Sequence, residues 1–515
     1  MPAFAAPPSP STSATGCDRA AAPLAEMAPV LAVVVALVTL RALVYLLFEQ
    51  VDFDSDQAIN GLMAKHLSEG RAFPLFFYGQ TYMLAVEAWA AVPFFWIAGP
   101  TVFALRCSLL AWNMAFGVLL VVGLERDAGL RPWAALVPAL FFLAAPASVA
   151  NQLINAQGGI IEPFVYIGVL WFLRRRPLWF GAVLAIGFRN REFTMYAVPV
   201  LLGLELVTGA LNRARLREWL LSLAMFLAVW ESIEALLPFA DLAGPGTRGQ
   251  LLGGFAGSQV ANLMERFNGG SGQIAERLTR MGPALVAWFT GAAQVETALP
   301  LPGRPWLTWL TAIYLAAAAV RVARVLGGDA WRWRQRLPAL RAQIAATAFA
   351  WYILGVGTVS VATFIAGKPI LIGYSRYAIL GLLIPVGLTA ALLATEPRRA
   401  VRRGVTLLVV AWTALAVVDH GRVLLTIGRQ PPANQFRQLA DRLVAKQVPV
   451  AAAGYWRAYV VTFLAQERVR VSSTDFVRIQ EYQDLFAERL HDAVAIEERP
   501  CPGGEHIASW YLCPP

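Results

Sequence analysis

The chain has 515 residues, 57% of them hydrophobic and only 15% charged, with a mean hydropathy of +0.55. A soluble protein of this length would divide into about three domains and carry about 25% charged residues to coat them. The composition therefore excludes soluble, disordered and fibrous classes and points to a surface that largely faces lipid. Basic residues number 43 against 33 acidic, a net charge of +10, and three of the basic residues are lysine. The arginines stand in short blocks between apolar runs, which is the pattern of oriented membrane helices, and no nucleic-acid partner is expected.

Residues 1–26, rich in Pro, Ser and Ala, read as a disordered cytoplasmic leader. The run 28–48 is long enough, at about 1.5 Å per residue, to cross a core of about 30 Å and reads as an uncleaved first helix. Further apolar runs lie near 102–124, 132–149, 159–173, 178–188, 194–210, 218–237, 305–323, 343–366, 376–394 and 404–420. Together they predict about eleven crossings. With the N-terminus in the cytoplasm, Arg126 and Arg131, Arg174–Arg176, Arg213 with Arg215 and Arg217, Arg332 with Arg334 and Arg336, and Arg398–Arg403 all fall inside. Five successive loops then obey the positive-inside rule.

The loops 49–101, 150–158, 189–193, 238–304 and 367–375 are left outside, together with the tail after 421. The stretches 83–98 and 283–299 are read as interfacial helices, because counting either as a span would invert every later loop. In the tail, Gln435–Lys446 and Ile479–Leu490 read as helices and Val448–Ala453 and Val469–Ser472 as strands. This predicts a small extracytoplasmic α/β domain over 425–515, after a membrane domain over 27–424. Cys501 and Cys513 lie in that tail, where an oxidising environment permits a disulfide, whereas Cys17 and Cys107 read as inert.

The first outer loop carries three alternating carboxylates, Asp52, Asp54 and Asp56, directly after a membrane span. Beyond them Ile59, Leu62, Met63 and Leu67 recur with helical spacing, predicting an amphipathic helix that lies flat on the membrane and holds the acids at headgroup level. An ionised carboxylate there suits a general base acting on an amphiphilic substrate. Its bland counterpart is a solvated loop with acids favoured at a helix start. Glu87 and Glu162 sit in apolar surroundings where a carboxylate needs a partner or a water-filled cavity. Arg189, Arg191, Lys368, Tyr374, Arg376 and Tyr377 fall on the same side, and arginine's planar fork suits a phosphate. Structural alternatives stand beside these roles: Arg189 paired with Glu192, and Arg376 snorkelling to the headgroups. The sequence contains neither a phosphate-binding Gly-rich loop with Lys and Ser/Thr nor a His-Glu-x-x-His motif.

The succession of one span, Asp54-Ser55-Asp56-Gln57, an interfacial helix, Tyr78-Gly79-Gln80 and Glu87 resembles the polyprenol-phosphate-sugar-dependent membrane glycosyltransferases of the GT-C fold. Within that fold it is most similar to protein O-mannosyltransferases and lipid A aminoarabinose transferases. The similarity is strongest over 51–110 and continues through Arg189, Arg376-Tyr377 and Gly454-Tyr455-Trp456-Arg457-Ala458-Tyr459. The resemblance implies an all-α polytopic membrane protein in a bacterial inner membrane that moves a sugar from a polyprenyl phosphate to a lipid, glycan or protein acceptor. It implies an acidic base, Asp56 or its rival Asp54, and basic residues on the lipid phosphate, here Arg189, Arg191, Arg376 and Lys368. Tyr78, Gln80, Glu87, Glu162, Tyr374 and Tyr377 would contact substrate. Gln57 stands where many relatives carry a second acid. A divalent metal is possible but not required by the sequence. A lipid-linked-saccharide transporter, or an inactive scaffold for envelope assembly, is the alternative, although a transporter should show internal repeats and none is evident.

Overall fold

The computed structural model describes residues 23–80, 83–240, 271–291, 304–327, 333–367 and 372–514. Lys368, nearly all of the leader, Cys17, Arg332 and much of 238–304 lie outside them. The first helix, α1 (Leu24–Leu47), is 24 residues long and so spans about 36 Å. Short helices α2 (Ser55–Ser68) and α3 (Val86–Ala98) follow, then the long α4 (Val102–Asp127), which packs along α1. The bundle continues through α5 (Pro132–Leu143), α6 (Ala147–Leu153), α7 (Glu162–Leu173), α8 (Pro177–Asn190), α9 (Ala197–Thr208) and α10 (Arg213–Leu236). It is completed by α11 (Ser271–Thr290), α12 (Pro305–Gly327), α13 (Trp333–Ala346), α14 (Ala348–Ala366), a 3-10 turn over Ile372–Leu382 running into α15 (Leu383–Thr395), and α16 (Arg399–Arg429).

Among the described residues seven helical segments are long and apolar enough to cross a membrane, or eight if the bent α5–α6 pair counts as one. The full-length segments coincide with the runs beginning at 28, 102, 218, 305, 343, 376 and 404. The run 132–149 is broken by an 85° bend, and the runs at 159, 178 and 194 form helices of 12, 14 and 12 residues. Shorter elements are tolerated where protein rather than lipid surrounds them, and α7 is buried along most of its length.

Two buried arginines explain how this bundle closes around broken helices. Arg41, inside α1, donates to the Phe142 carbonyl at 2.5 Å and to Asn113, and so adds a second donor to a carbonyl at the end of α5 that also accepts the Ala145 amide at 3.2 Å. His420 on α16 lies 2.8 Å from the Ala145 carbonyl in the bend that follows. Arg106, fully buried on α4, donates to the carbonyls of Tyr45 at 2.5 Å and Val51 at 2.6 Å, closing the end of α1 and fixing the start of the acidic loop. Helix ends away from water need such partners, and a charged side chain in a bundle interior needs the acceptors in return. At the opposite end of α4, Asp127 accepts Trp171 Nε1 at 2.6 Å beside Arg174, and Arg215 pairs with Glu205 and Glu218. The two ends of α4 thus carry separate polar layers.

After α16 the chain forms a small unit of α17 (Gln435–Ala445), β1 (Val450–Ala453), α18 (Tyr455–Leu464), β2 (Arg470–Ser473), α19 (Gln480–Glu488), β3 (Val494–Glu497), β4 (Glu505–Ile507) and β5 (Trp510–Cys513). The sheet order is β2-β1-β3-β5-β4, with β1 parallel to β2 and β3, and β5 antiparallel to β3 and β4. Cys501 and Cys513 form a disulfide across its last hairpin. This domain sits directly on the acidic loop, and that changes the setting of α2. The helix expected to lie on a membrane surface is enclosed between α3 and α18, with Asn60, Lys65 and His66 buried as fully as its apolar stripe. Gly61 lies so close to Phe463 of α18 that an added Cβ would stand 2.6 Å from its ring.

Two polar clamps hold the domain there. Arg437 and Asn434 bind Glu49 at the end of α1, the arginine through two 2.8 Å bonds. Glu467 accepts Lys65 at 2.5 Å, His66 at 3.1 Å, Tyr482 at 3.0 Å and also Arg71. Burial alone would push the Glu467 carboxyl up, but the hydrogen bonds and charges of His66 and Lys65 outweigh it and hold the group well below the usual carboxylate range.

Candidate active site

The acidic loop enters α2 through Asp54, the N-cap, whose side chain accepts the Gln57 amide at 3.0 Å. Its other oxygen accepts Gln157 Nε2 at 2.6 Å, and Gln157 Oε1 accepts Arg376 at 3.1 Å. One amide therefore bridges a carboxylate and a guanidinium, and only one orientation of that amide satisfies both. Burial, then the neighbouring Asp56 charge, pushes the Asp54 carboxyl up to about 6.

The position of Gln157 is built by residues that do not reach the cavity themselves. Glu87 accepts the backbone amides of Gly158 at 2.8 Å and Gly159 at 2.9 Å, together with Asn60 Nδ2 at 2.9 Å. Asn60 also donates to the Ala156 carbonyl at 2.7 Å, and Arg191 Nε to that of Gly158 at 2.7 Å. Both glycines have positive φ, 83° and 73°, and the Arg191 side chain fills the space that a Cβ on Gly159 would need. Glu162, fully buried, lies beside Glu87.

The C-terminal domain supplies the facing wall. Tyr455, the first residue of α18, donates its phenol to Asp56 Oδ1, while Ser55 donates to the Tyr455 carbonyl at 2.6 Å. Burial and the Asp56 charge raise the Tyr455 phenol well above its usual range, so it remains a donor. Arg478 donates to the Gly79 carbonyl at 3.2 Å and lies 4.4 Å from the centre of the Phe476 ring. Between the walls is a cavity of about 660 Å³. Among the described residues its lining comprises Asp52, Phe53, Asp54, Asp56, Gln152, Asn155, Gln157 and Arg376 from the helical side, and Tyr455, Trp456, Asp475, Phe476 and Arg478 from the domain.

Of the residues singled out in the sequence, Asp54, Asp56 and Arg376 meet at this cavity, and Glu87 and Arg191 shape the loop behind it. Arg189 is turned elsewhere: it pairs with Glu234 on α10, rather than with Glu192, and its guanidinium lies 3.9 Å from the Trp230 ring centre. Tyr78 is buried beneath the site with its hydroxyl 2.9 Å from His66 Nδ1, Gln80 caps a turn on Phe77, and Tyr377 packs against Phe193. Tyr374 lies in the 3-10 turn with its side chain outside the description, as is Lys368. Gln157, Asp475 and Arg478 carried little sequence signal beyond a Gln-Gly-Gly run: Asp54 and Arg376, which Gln157 joins, and the Gly79 carbonyl that Arg478 binds are each more than 100 residues away. Among the described residues no three His, Cys, Asp or Glu side chains cluster as a metal site. Asp54 accepts Gln57 and Gln157, and Asp56 accepts Tyr455 on one oxygen.

No family model and no curated protein matches the sequence. Among solved structures, ArnT from Cupriavidus metallidurans bound to undecaprenyl phosphate aligns with a TM-score of 0.57 at 12% identity, covering 95% of this chain and 97% of that one. The chain has the GT-C fold. The Archaeoglobus fulgidus oligosaccharyltransferase, solved with zinc and sulfate, gives a TM-score of 0.49 at 14% identity over 91% of this chain and 68% of that one. The mycobacterial arabinofuranosyltransferase AftD gives 0.42 at 15% identity over 88% and 32%. The GT-C likeness to ArnT runs through both the helical bundle and the sheet domain, because almost all of each chain is aligned.

Proposed function

We propose that the protein is an integral-membrane glycosyltransferase that moves a sugar from a polyprenyl-phosphate donor to a lipid, glycan or protein acceptor. The observation that carries this reading is the cavity in which Asp56 and the Asp54–Gln157–Arg376 chain meet. A base and a phosphate-binding cation are the two groups that a single displacement at an anomeric carbon requires. Asp56 takes the proton from the acceptor hydroxyl or amine as its oxygen or nitrogen bonds to the anomeric carbon. The bond from that carbon to phosphate breaks on the opposite face, its electrons leave with the phosphate, and the configuration inverts.

Asp56 is preferred to Asp54 as the base because Asp54 has both oxygens engaged, by Gln57 and Gln157, whereas Tyr455 occupies only one of Asp56. Asp54 and Gln157 orient Arg376, which with Arg478 stabilises the departing phosphate. A bacterial inner-membrane setting with this face outside is supported by the arginine-rich loops and by the disulfide on the same side as the cavity. The test is purified protein in nanodiscs with a panel of polyprenyl-phosphate sugars and envelope acceptors, read by release of polyprenyl phosphate. Asp56→Asn should cut release by about 10²–10⁴-fold while retaining the carrier lipid; undiminished transfer by that variant would rule out the base, and movement of intact lipid-linked sugar without cleavage would favour a transporter.

A further inference from the structure

The domain wall of the cavity has a composition that the displacement itself does not need. Trp456 and Phe476 both line the cavity, yet they are 60% and 51% exposed, in a domain that otherwise buries Tyr455, Tyr459 and Tyr482. Their rings are set edge-on around Tyr455, at centroid distances of 5.1 Å and 5.5 Å. Between them, Asp475 Oδ1 accepts three donors: the Tyr455 amide at 2.7 Å, the Phe476 amide at 2.9 Å and Ser473 Oγ at 3.1 Å. Burial raises this carboxyl, but those backbone and hydroxyl donors outweigh it and keep it below its usual range, so it is an ionised acceptor fixed in place.

We propose that Trp456, Phe476 and Asp475 form a sugar-ring subsite, an inference that rests on the glycosyltransferase reading of the same cavity. Exposed aromatic faces invite an apolar ligand surface, but the cavity also contains four carboxylates and two guanidiniums, which exclude a hydrocarbon chain. A sugar ring combines the two requirements: its C–H face lies on an aromatic ring and its hydroxyls donate to a carboxylate. Tyr455 sets the distance from the chemistry, because its backbone nitrogen holds Asp475 while its phenol holds Asp56. A ring bound at Asp475 is therefore about one tyrosine side chain from the base. The cavity volume is within the range of roughly 300–1,000 Å³ usual for small-molecule sites. The ring comes either from the donor or from a saccharide acceptor.

Full-length protein in nanodiscs separates these sources. Binding of bare undecaprenyl phosphate is compared with that of undecaprenyl-phosphate mannose, glucose, arabinose and aminoarabinose, for the wild type, Trp456→Ala, Phe476→Ala and Trp456→Phe. If the wild type fails to bind the bare carrier, the glycosyltransferase reading falls first. A donor-sugar subsite is supported if the preferred sugar tightens wild-type binding by about tenfold and both alanine variants lose that gain with carrier binding unchanged, while Trp456→Phe keeps it. An acceptor subsite is supported if the gain survives but the KM for envelope oligosaccharide rises by about tenfold or more at saturating donor. Intact carrier binding with neither change overturns the subsite and leaves the glycosyltransferase reading standing. A rise in KM confined to peptide acceptors overturns the sugar assignment.

Discussion

The two walls of the cavity are built by different means. On the helical side, Asp54, Gln157 and Arg376 are joined to one another, and the loop carrying Gln157 is held by Glu87, Asn60 and Arg191 within the bundle. On the domain side, Tyr455, Asp475 and Arg478 are fixed within a separate small fold, which is held against the bundle by the Glu49 and Glu467 clamps. A proton acceptor and a cation facing a leaving group must be preorganised, and a buried hydrogen-bonded chain provides that. The docked domain meets that geometry at one point, the Tyr455 hydroxyl on Asp56. On the proposed reading the helical wall carries the base and Arg376, while the domain wall adds Arg478 at the phosphate, the Tyr455 contact to Asp56 and the sugar subsite.

The sharpest test of this contrast is Asp56→Asn, expected to reduce transfer by about 10²–10⁴-fold with carrier-lipid binding retained, as measured by polyprenyl phosphate release. The pH profile follows from Asp54. Its pKa is raised to about 6, so the folded state binds this proton more tightly than the unfolded state. Transfer should fall as pH drops through about 6, because both Asp54 oxygens accept N–H donors and a proton there displaces one of them and removes the charge that holds Gln157 toward Arg376. The raised pKa also means that the ionised group works against folding above that range, so Asp54→Asn, which keeps an N-cap, should hold or raise Tm at neutral pH while losing the acid limb. Gln157→Ala should cost about 10–100-fold in kcat, in keeping with a residue that positions others. Gln157→Glu places a carboxylate beside Asp54 and should move the acid limb to higher pH, a shift that a purely structural role would not produce.

Changes to the clamps should act on the second wall. Glu467→Gln leaves Lys65 and Arg71 facing a neutral group and should destabilise docking by about 3 kcal/mol, seen as faster hydrogen exchange in α2 and α18. Fast exchange in α6 and α7 as well would show that the walls are one unit and would break the comparison. Replacing Cys501 and Cys513 by serine should have the smallest effect on transfer, lowering stability of the domain by roughly 2–3 kcal/mol with the site intact at low temperature.

The positions of most helices were legible because an apolar run of sufficient length has few alternatives in lipid. The bend between α5 and α6 falls at Pro146, a local helix breaker, and Arg41 and His420 reach carbonyls there from distant helices. Asp54, Asp56 and Arg376 could be selected as charges that a membrane chain retains at a cost. Arg189 satisfied the same criterion, yet it is neutralised by Glu234 and stacked on Trp230, partners that no local pattern indicates. The enclosure of α2 was likewise hidden, because its amphipathic spacing is the same whether lipid or α18 covers it.

Residue properties alone place this protein in a membrane, mark where its long helices run and show acidic and basic residues gathered in the loops between them. Hydropathy and charge are properties of each residue, and the bilayer reads them locally. Only the tertiary structure decided that Gln157 joins Asp54 to Arg376, that Arg189 faces α10, and that the C-terminal domain closes the cavity with Tyr455, Trp456, Asp475 and Arg478. Those are contacts between segments tens to hundreds of residues apart, and a hydrogen bond is specified by where two groups meet rather than by either group alone.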